Sequence, residues 1–389
     1  MRPVPNGFRH AVRLLLASGL GILTALLPAG CGGESPSGGD GAGSPKAAVA
    51  PASWTPERAL SAVESRFPAA LYFTNGYLPG KEIQPLPPAG KVEKVRVGMP
   101  WVFNDEIAPW FVAEELGFFR EAGLDVTLVP GGPGIDPLQL LVSGRIDIAV
   151  PAPGSAVVSL NASRTGAGVT AVGAVLKNGP TAFIALDKEV PRNTRSSRRI
   201  TPKDFAGKIV GVQAGYEFYV EALMQRSGLA PGSVEIRRAG FTPDPLMAGV
   251  LDFYMGWIMN QPRIIEQGGF TNWVSFAMRD FAWDEYSDVS VVRTADLPAR
   301  GDMVRRYLHA LRRGVDFLLA EPAKAAAITS RRAIDEKLDP DEVALRFELQ
   351  KSLLVGDDGL PPLHMTDASW NRLAAALLQF GRLQLPSAP

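Results

Sequence analysis

From Lys94 onward, short strand-like runs alternate with helix-like segments, and this alternation restricts the chain to an α/β fold more than any other feature does. Residues 95–99 read as a buried strand. Residues 106–120 read as a helix whose apolar side chains Ile107, Phe111, Val112, Leu116 and Phe119 fall mostly on one face, with Gly123 just past its end. Residues 125–129 form the next strand, followed by the glycine turn Gly131-Gly132-Pro133-Gly134. Asp136 and Pro137 then make an N-cap and first-turn pair for a helix that Gly144 closes, before a strand over 147–150. The unit recurs: 234–236 is strand-like, Asp244-Pro245-Leu246 opens a helix, and 251–257 is a strand. Two lobes built on one plan are expected. Strands over 172–176 and 181–186 lie between them, and 208–212 starts the second lobe after the turn Thr201-Pro202-Lys203-Asp204. Beyond Arg293 the pattern is helical, over 302–319, 322–331, 339–353 and 367–380.

The first 50 residues belong to no fold. Arg2, Arg9 and Arg13 flank an apolar run of 14 residues, 14–27, which is too short to span a bilayer and reads as a signal peptide over 1–30. Leu27-Pro28-Ala29-Gly30-Cys31 resembles a bacterial lipoprotein box. The single cysteine of the chain stands there, so Cys31 is expected to carry lipid and anchor the protein. Residues 31–51, rich in Gly, Ser and Pro, read as a tether, and 52–93 as an N-terminal extension with one helix over 56–67. The body is then extracytoplasmic and held at a membrane. Forty basic and forty acidic residues give zero formal charge, which argues against a dedicated nucleic-acid binder. One Cys and three His leave little for a metal centre, and neither a serine elbow nor a zinc helix motif occurs. No catalytic residue, metal or cofactor is expected.

In open α/β sheets ligands collect beyond the carboxyl ends of the strands. Reading forward from each strand gives 100–106, 151–155 and 177–180 in the first lobe, and 213–217 and 256–261 in the second. These stretches offer aromatic rings and side-chain amides with few fixed charges, which suits a flat, mostly neutral molecule. The glycine turn lacks the Lys-Ser/Thr of a phosphate loop and reads as a tight reversal. Arg192, Arg195, Arg198 and Arg199 read as a solvated loop, and His309 as a structural residue on a helix.

Residues 117–150, GFFREAGLDVTLVPGGPGIDPLQLLVSGRIDIAV, together with TPKDFAGKIVGVQAG (201–215) and PLMAGVLDFYMGWIMNQP (245–262), resemble the nitrate, sulfonate and thiamine-pyrimidine substrate-binding proteins of bacterial ABC importers. The resemblance covers about 94–350. It implies a two-lobed periplasmic-binding-protein type II fold, each lobe a doubly wound mixed sheet flanked by helices. The lobes would be 94–185, then 186–288, with 289–389 returning to the first. It implies a monomeric solute-binding lipoprotein, with ABC permease and ATPase subunits as partners and no enzyme activity. The GGPG and Asn-Gln-Pro turns look most like members that bind a thiamine pyrimidine precursor or riboflavin. Ligand contacts carried over by position are Trp101, Asn104, Tyr216, Glu217, Trp257 and Asn260; Ser155 and Asn178 are added only because they follow strand ends. A sulfonate-, nitrate- or taurine-type binding protein is the alternative within the fold. A pyrimidine-synthase-like enzyme of related fold is the alternative of another class, disfavoured because the chain reads as exported and no His stands at a strand end.

Overall fold

The computed structural model describes residues 54–163, 168–281, 283–333 and 338–385; the leader, Cys31 and the tether lie outside them. Ten strands run in chain order: β1 (Glu93–Gly98), β2 (Leu124–Val129), β3 (Ile148–Ala149), β4 (Val169–Leu176), β5 (Thr181–Leu186), β6 (Ile209–Val212), β7 (Glu235–Arg238), β8 (Phe253–Trp257), β9 (Trp273–Ala277) and β10 (Ser287–Arg293). They form two five-stranded sheets, ordered β2-β1-β3-β10-β4 and β7-β6-β8-β5-β9. The plan repeats. In each sheet four strands run in one direction, and the fifth is inserted antiparallel between an edge strand and the other three. The inserted strand is the one that arrives from the other lobe, β10 in the first sheet and β5 in the second. The chain therefore crosses between lobes twice, at 177–180 and 278–286.

This corrects one expected boundary. The resemblance places residues 181–185 in the first lobe, yet β5 lies between β8 and β9 of the second sheet. Its continuous apolar Ala-Phe-Ile-Ala run fits either sheet, and only the pairing decides. The helix expected over 106–120 is also interrupted. It becomes a 3₁₀ turn (Asp105–Ile107), α2 (Ala108–Glu115) and α3 (Phe118–Glu121), because Gly117 adopts a left-handed φ of 76° between the helices.

The helices α2 and α3 pack with three of the late helices. α9 (Leu297–Ala320), α10 (Pro322–Arg332) and α11 (Pro340–Val355) cover one face of the first sheet with them, burying Phe111, Phe119, Tyr307, Leu311 and Phe347 against Val95 and Val97. Trp110 Nε1 donates to Tyr307 Oη at 2.7 Å within this layer. The opposite face carries α1 (Pro56–Arg66), α4 (Pro137–Val142), α5 (Ser155–Ala162) and α12 (Asp367–Gln379). In the second lobe α6 (Glu217–Ser227) packs on the side of α5 and α12. α7 (Asp244–Met247) and α8 (Gln261–Gln267) lie on the other side.

The N-terminal extension is bound to the first lobe throughout. Ala69 N–H donates to Asn371 Oδ1 at 2.9 Å, and Tyr72 meets Trp370 edge-on at 5.7 Å. Phe73 bridges to Ala171 of the edge strand β4. A Pro-rich stretch of the extension, 79–88, then runs antiparallel along α9. There Arg312, His309 and Arg306 reach the carbonyls of Lys81, Gln84 and Pro87 at 3.5, 2.9 and 3.0 Å. Partial burial lowers the His309 pKa against the opposing pull of the Gln84 carbonyl, which accepts from Nε2–H. No helix among the described residues is long and apolar enough to cross a membrane.

Candidate functional site

The carboxyl ends of the strands in both sheets meet at a crevice between the lobes. At one end Trp101, after β1, touches Phe241, after β7, with ring centroids 4.7 Å apart. On the side of α5, α6 and α12 the crevice holds a cavity of about 310 Å³. Pro153, Ser155, Ala156 and Ser159 line it from the first lobe, Gly215, Tyr216 and Phe218 from the second, and Leu377 and Arg382 from the C-terminal segment.

Of the side chains expected to contact a ligand, this cavity brings together Ser155 and Tyr216, with Glu217 beside them. Trp101, Trp257 and Asn260 stand elsewhere along the lobe boundary. Trp257 is half-buried against the apolar core of the first lobe, and its backbone N–H donates to Gln261 Oε1 at 2.6 Å. Asn260 precedes α8, with a buried Oδ1 that has no partner among the described residues. Asn104 and Asn178 are buried and occupied. Asn104 Oδ1 accepts Glu106 N–H at 3.1 Å, and Asn178 faces Asp357 at 3.5 Å.

Both helices that start at the cavity already hold a carboxylate. Glu285, fully buried, accepts Ser155 N–H at 3.2 Å at the first residue of α5. Its other oxygen accepts the Tyr219 hydroxyl at 2.5 Å. Burial pushes the Glu285 pKa up, while these hydrogen bonds oppose the rise. At α6, Glu217 folds back to accept Gly215 N–H at 2.8 Å and pairs with Arg238 at 3.2 Å. Each helix dipole is thus already met by a negative group of the protein itself.

Deeper in, the acidic character increases. Asp105 and Arg346 pair at 2.8 Å with only 2% and 8% of their side chains exposed. Glu106 and Asp288 are buried without a cation, and Asp288 has a φ of 50°. Glu106 Oε1 and both Asp288 oxygens lack a donor among the described residues, so the two acids are satisfied only by sharing a proton. Burial, and then the charge of Asp288, raises Glu106 well above the usual range; burial pushes Asp288 up to about 7. Burial, with Glu285 and Glu106 nearby, takes Tyr216 to about 12.

Sequence reading misses Glu285, Asp288, Phe218, Phe241 and Arg382, and passes over Glu106 within a quoted strand-end segment. No local pattern marks a carboxylate as buried. The sparse charge expected at the strand ends is corrected here: Glu106, Glu285 and Asp288 converge from segments far apart in the chain. Arg382 is the cation of the described lining, and it pairs with Glu221 at 3.5 Å and lies over the Phe218 ring at 4.8 Å. No group of three or more His, Cys, Asp or Glu among the described residues is placed to hold a metal ion.

A family model described as NMT1/THI5 like matches residues 104–325, more than half of the chain. The riboflavin-binding protein RibY of Chloroflexus aurantiacus is 24% identical over 303 residues, spanning 76% of this chain and 83% of its own. The 4-amino-5-hydroxymethyl-2-methylpyrimidine phosphate synthase of Aspergillus parasiticus is 23% identical over 60% of this chain and 69% of its own. In three dimensions the periplasmic aliphatic sulphonate binding protein SsuA of Escherichia coli matches with a TM-score of 0.52 at 15% identity, over 73% of this chain and 91% of that one. That likeness establishes the periplasmic-binding-protein fold.

Proposed function

The chain belongs to the NMT1/THI5-like family, and from that premise we propose that it is an extracytoplasmic solute-binding lipoprotein of an ABC importer. Its ligand is a small nitrogen heterocycle carrying amino or ring N–H donors, of the thiamine-pyrimidine or riboflavin type. One observation carries this reading: Glu106 Oε1, both Asp288 oxygens and Asn260 Oδ1 are buried acceptors near the lobe boundary with no donor among the described residues, and aromatic side chains line the cavity. A ring stacks on Tyr216 or Phe218 and gives its N–H groups to the acids. A sulfonate or nitrate would instead meet Glu285 and Glu217 at the helix starts where an anion would otherwise dock.

Binding rather than catalysis is the proposal. His309 is engaged by Gln84 beneath the extension and His364 lies beside Pro362, so neither lines the cavity. Melting curves of the full-length protein with 4-amino-2-methylpyrimidines, riboflavin, taurine and nitrate test the ligand class. An amino-heterocycle at 100 times its dissociation constant is expected to add about 2.7 kcal/mol of stability, while taurine and nitrate leave the melting temperature unchanged. Stabilisation by taurine or nitrate alone would overturn the reading.

The anchor is tested separately. Cys31→Ser is expected to move the protein from the membrane fraction to the soluble fraction with its melting temperature unchanged. Retention of the variant in the membrane would refute lipidation at Cys31.

A further inference from the structure

On the face of the crevice opposite the cavity, one carboxylate joins the two lobes. Glu342 lies on α11 of the first lobe. Arg263, on α8 of the second, reaches it with two parallel hydrogen bonds, Nε to Oε1 at 3.0 Å and Nη2 to Oε2 at 2.9 Å. This fork is the strong, geometrically specific form of an ion pair, and both side chains are largely shielded, 22% and 14% exposed. A second cross-lobe pair stands nearby, Arg279 to Asp357 at 3.1 Å.

The same carboxylate also faces inward. Arg346, one helical turn along α11, has its Nε 3.6 Å from Glu342 Oε1, within ion-pair range but too far for a hydrogen bond. That buried Nε has no hydrogen-bond partner among the described residues, while Arg346 Nη1 holds Asp105 Oδ1 at 2.8 Å. Asp105 immediately precedes Glu106 in the 3₁₀ turn facing the crevice.

We propose that Arg263–Glu342 is a closure latch, and that Arg346 is a positioning residue through which the latch is sensed at the crevice. With the lobes together, Arg263 draws Glu342 outward and Arg346 stays on Asp105. When the lobes part, Glu342 loses its partner and turns to the unsatisfied Nε of Arg346. That movement loosens Asp105 and the turn bearing Asn104 and Glu106. Closure and assembly of the crevice wall are then one two-state event, biased by a contact that touches no ligand.

The test needs no ligand, so it fails or succeeds independently of the ligand class proposed above. Small-angle X-ray scattering of the full-length unliganded protein reports the radius of gyration. Arg263→Gln and Glu342→Gln are each expected to lower the closed-to-open ratio about tenfold and to raise that radius. The double variant is expected to open no further than the larger single, since the fork between the lobes is the contact both remove, while the Arg263–Glu266 pair lies within α8. In 0.5 M salt the unsubstituted protein should expand toward the variants, which themselves respond little. Arg263→Lys, which keeps the charge but loses the fork, should fall between; it also keeps the test open if Glu342→Gln folds poorly. Single variants with the unsubstituted radius, or a double variant showing the sum of two separate effects, would overturn the latch. A lowered melting temperature with no change in radius would overturn it too, marking the pair as merely structural.

Discussion

Arg346→Met is expected to lower the unfolding free energy by about 3–5 kcal/mol at neutral pH, because it leaves the Asp105 carboxylate buried without its cation. Methionine keeps most of the arginine volume, so the loss reports charge rather than a cavity. Burial alone pushes the Asp105 pKa up, and Arg346 is the first of the influences opposing it. Without Arg346 the acid takes up a proton in the folded state, so the deficit should shrink as the pH falls toward the ordinary carboxylate range. Urea unfolding of Arg346→Met and of Arg346→Met/Asp105→Asn at pH 5 and pH 8 measures this. The second substitution is expected to restore much of the loss at pH 8. A pH-independent deficit, unrelieved by Asp105→Asn, would show that the pair is not what holds this layer together.

Asp288→Asn is expected to stabilise the protein above pH 7. In water the two acids have pKa values of 3.8 and 4.5, whereas in the fold burial holds the Asp288 proton up to about 7 and raises Glu106 as well. The folded state therefore binds more protons than the unfolded chain between about pH 4 and 7. Stability is complete at the acid end of that window and declines as the pH rises through it. An amide at 288 stays neutral at every pH and donates to Glu106, which removes much of the decline. The gain over the unsubstituted protein at pH 8 should be about 2–4 kcal/mol, since each tenfold change in proton affinity corresponds to about 1.4 kcal/mol. Parallel stability–pH curves for the two proteins would rule out the shared proton. The same substitution replaces an acceptor with a donor at the crevice, so weaker binding of amino-heterocycles is the expected companion effect.

Local chemistry makes much of the fold legible in the sequence. Asp136-Pro137 and Asp339-Pro340 do open helices, with Asp136 and Asp339 capping them. The repeated strand–helix–strand unit does mark two sheets on one plan. What stays hidden depends on pairing across long stretches of chain. The antiparallel insertion of β5 and β10 is set by where the crossings lead, and hydrophobic periodicity does not encode it. The crevice residues divide the same way. Tyr216 and Ser155 follow strands and are reached by reading forward. Glu285 and Asp288 lie on the return crossing and at the start of β10, where a strand begins rather than ends, so the forward rule passes over them. Phe241 follows β7, a strand whose burial is too slight to draw attention.

The binding of residues 54–91 to the first lobe has a mechanical consequence. Trp54 enters the described chain against the core beneath α1, and the segment is secured at Asn371, Ala171, His309 and Arg306 before β1 begins. A pull on the chain at Trp54 is resisted by these four fastenings and distributed into one half of the molecule. The other half takes load only second-hand, through the two crossings and the contacts across the crevice.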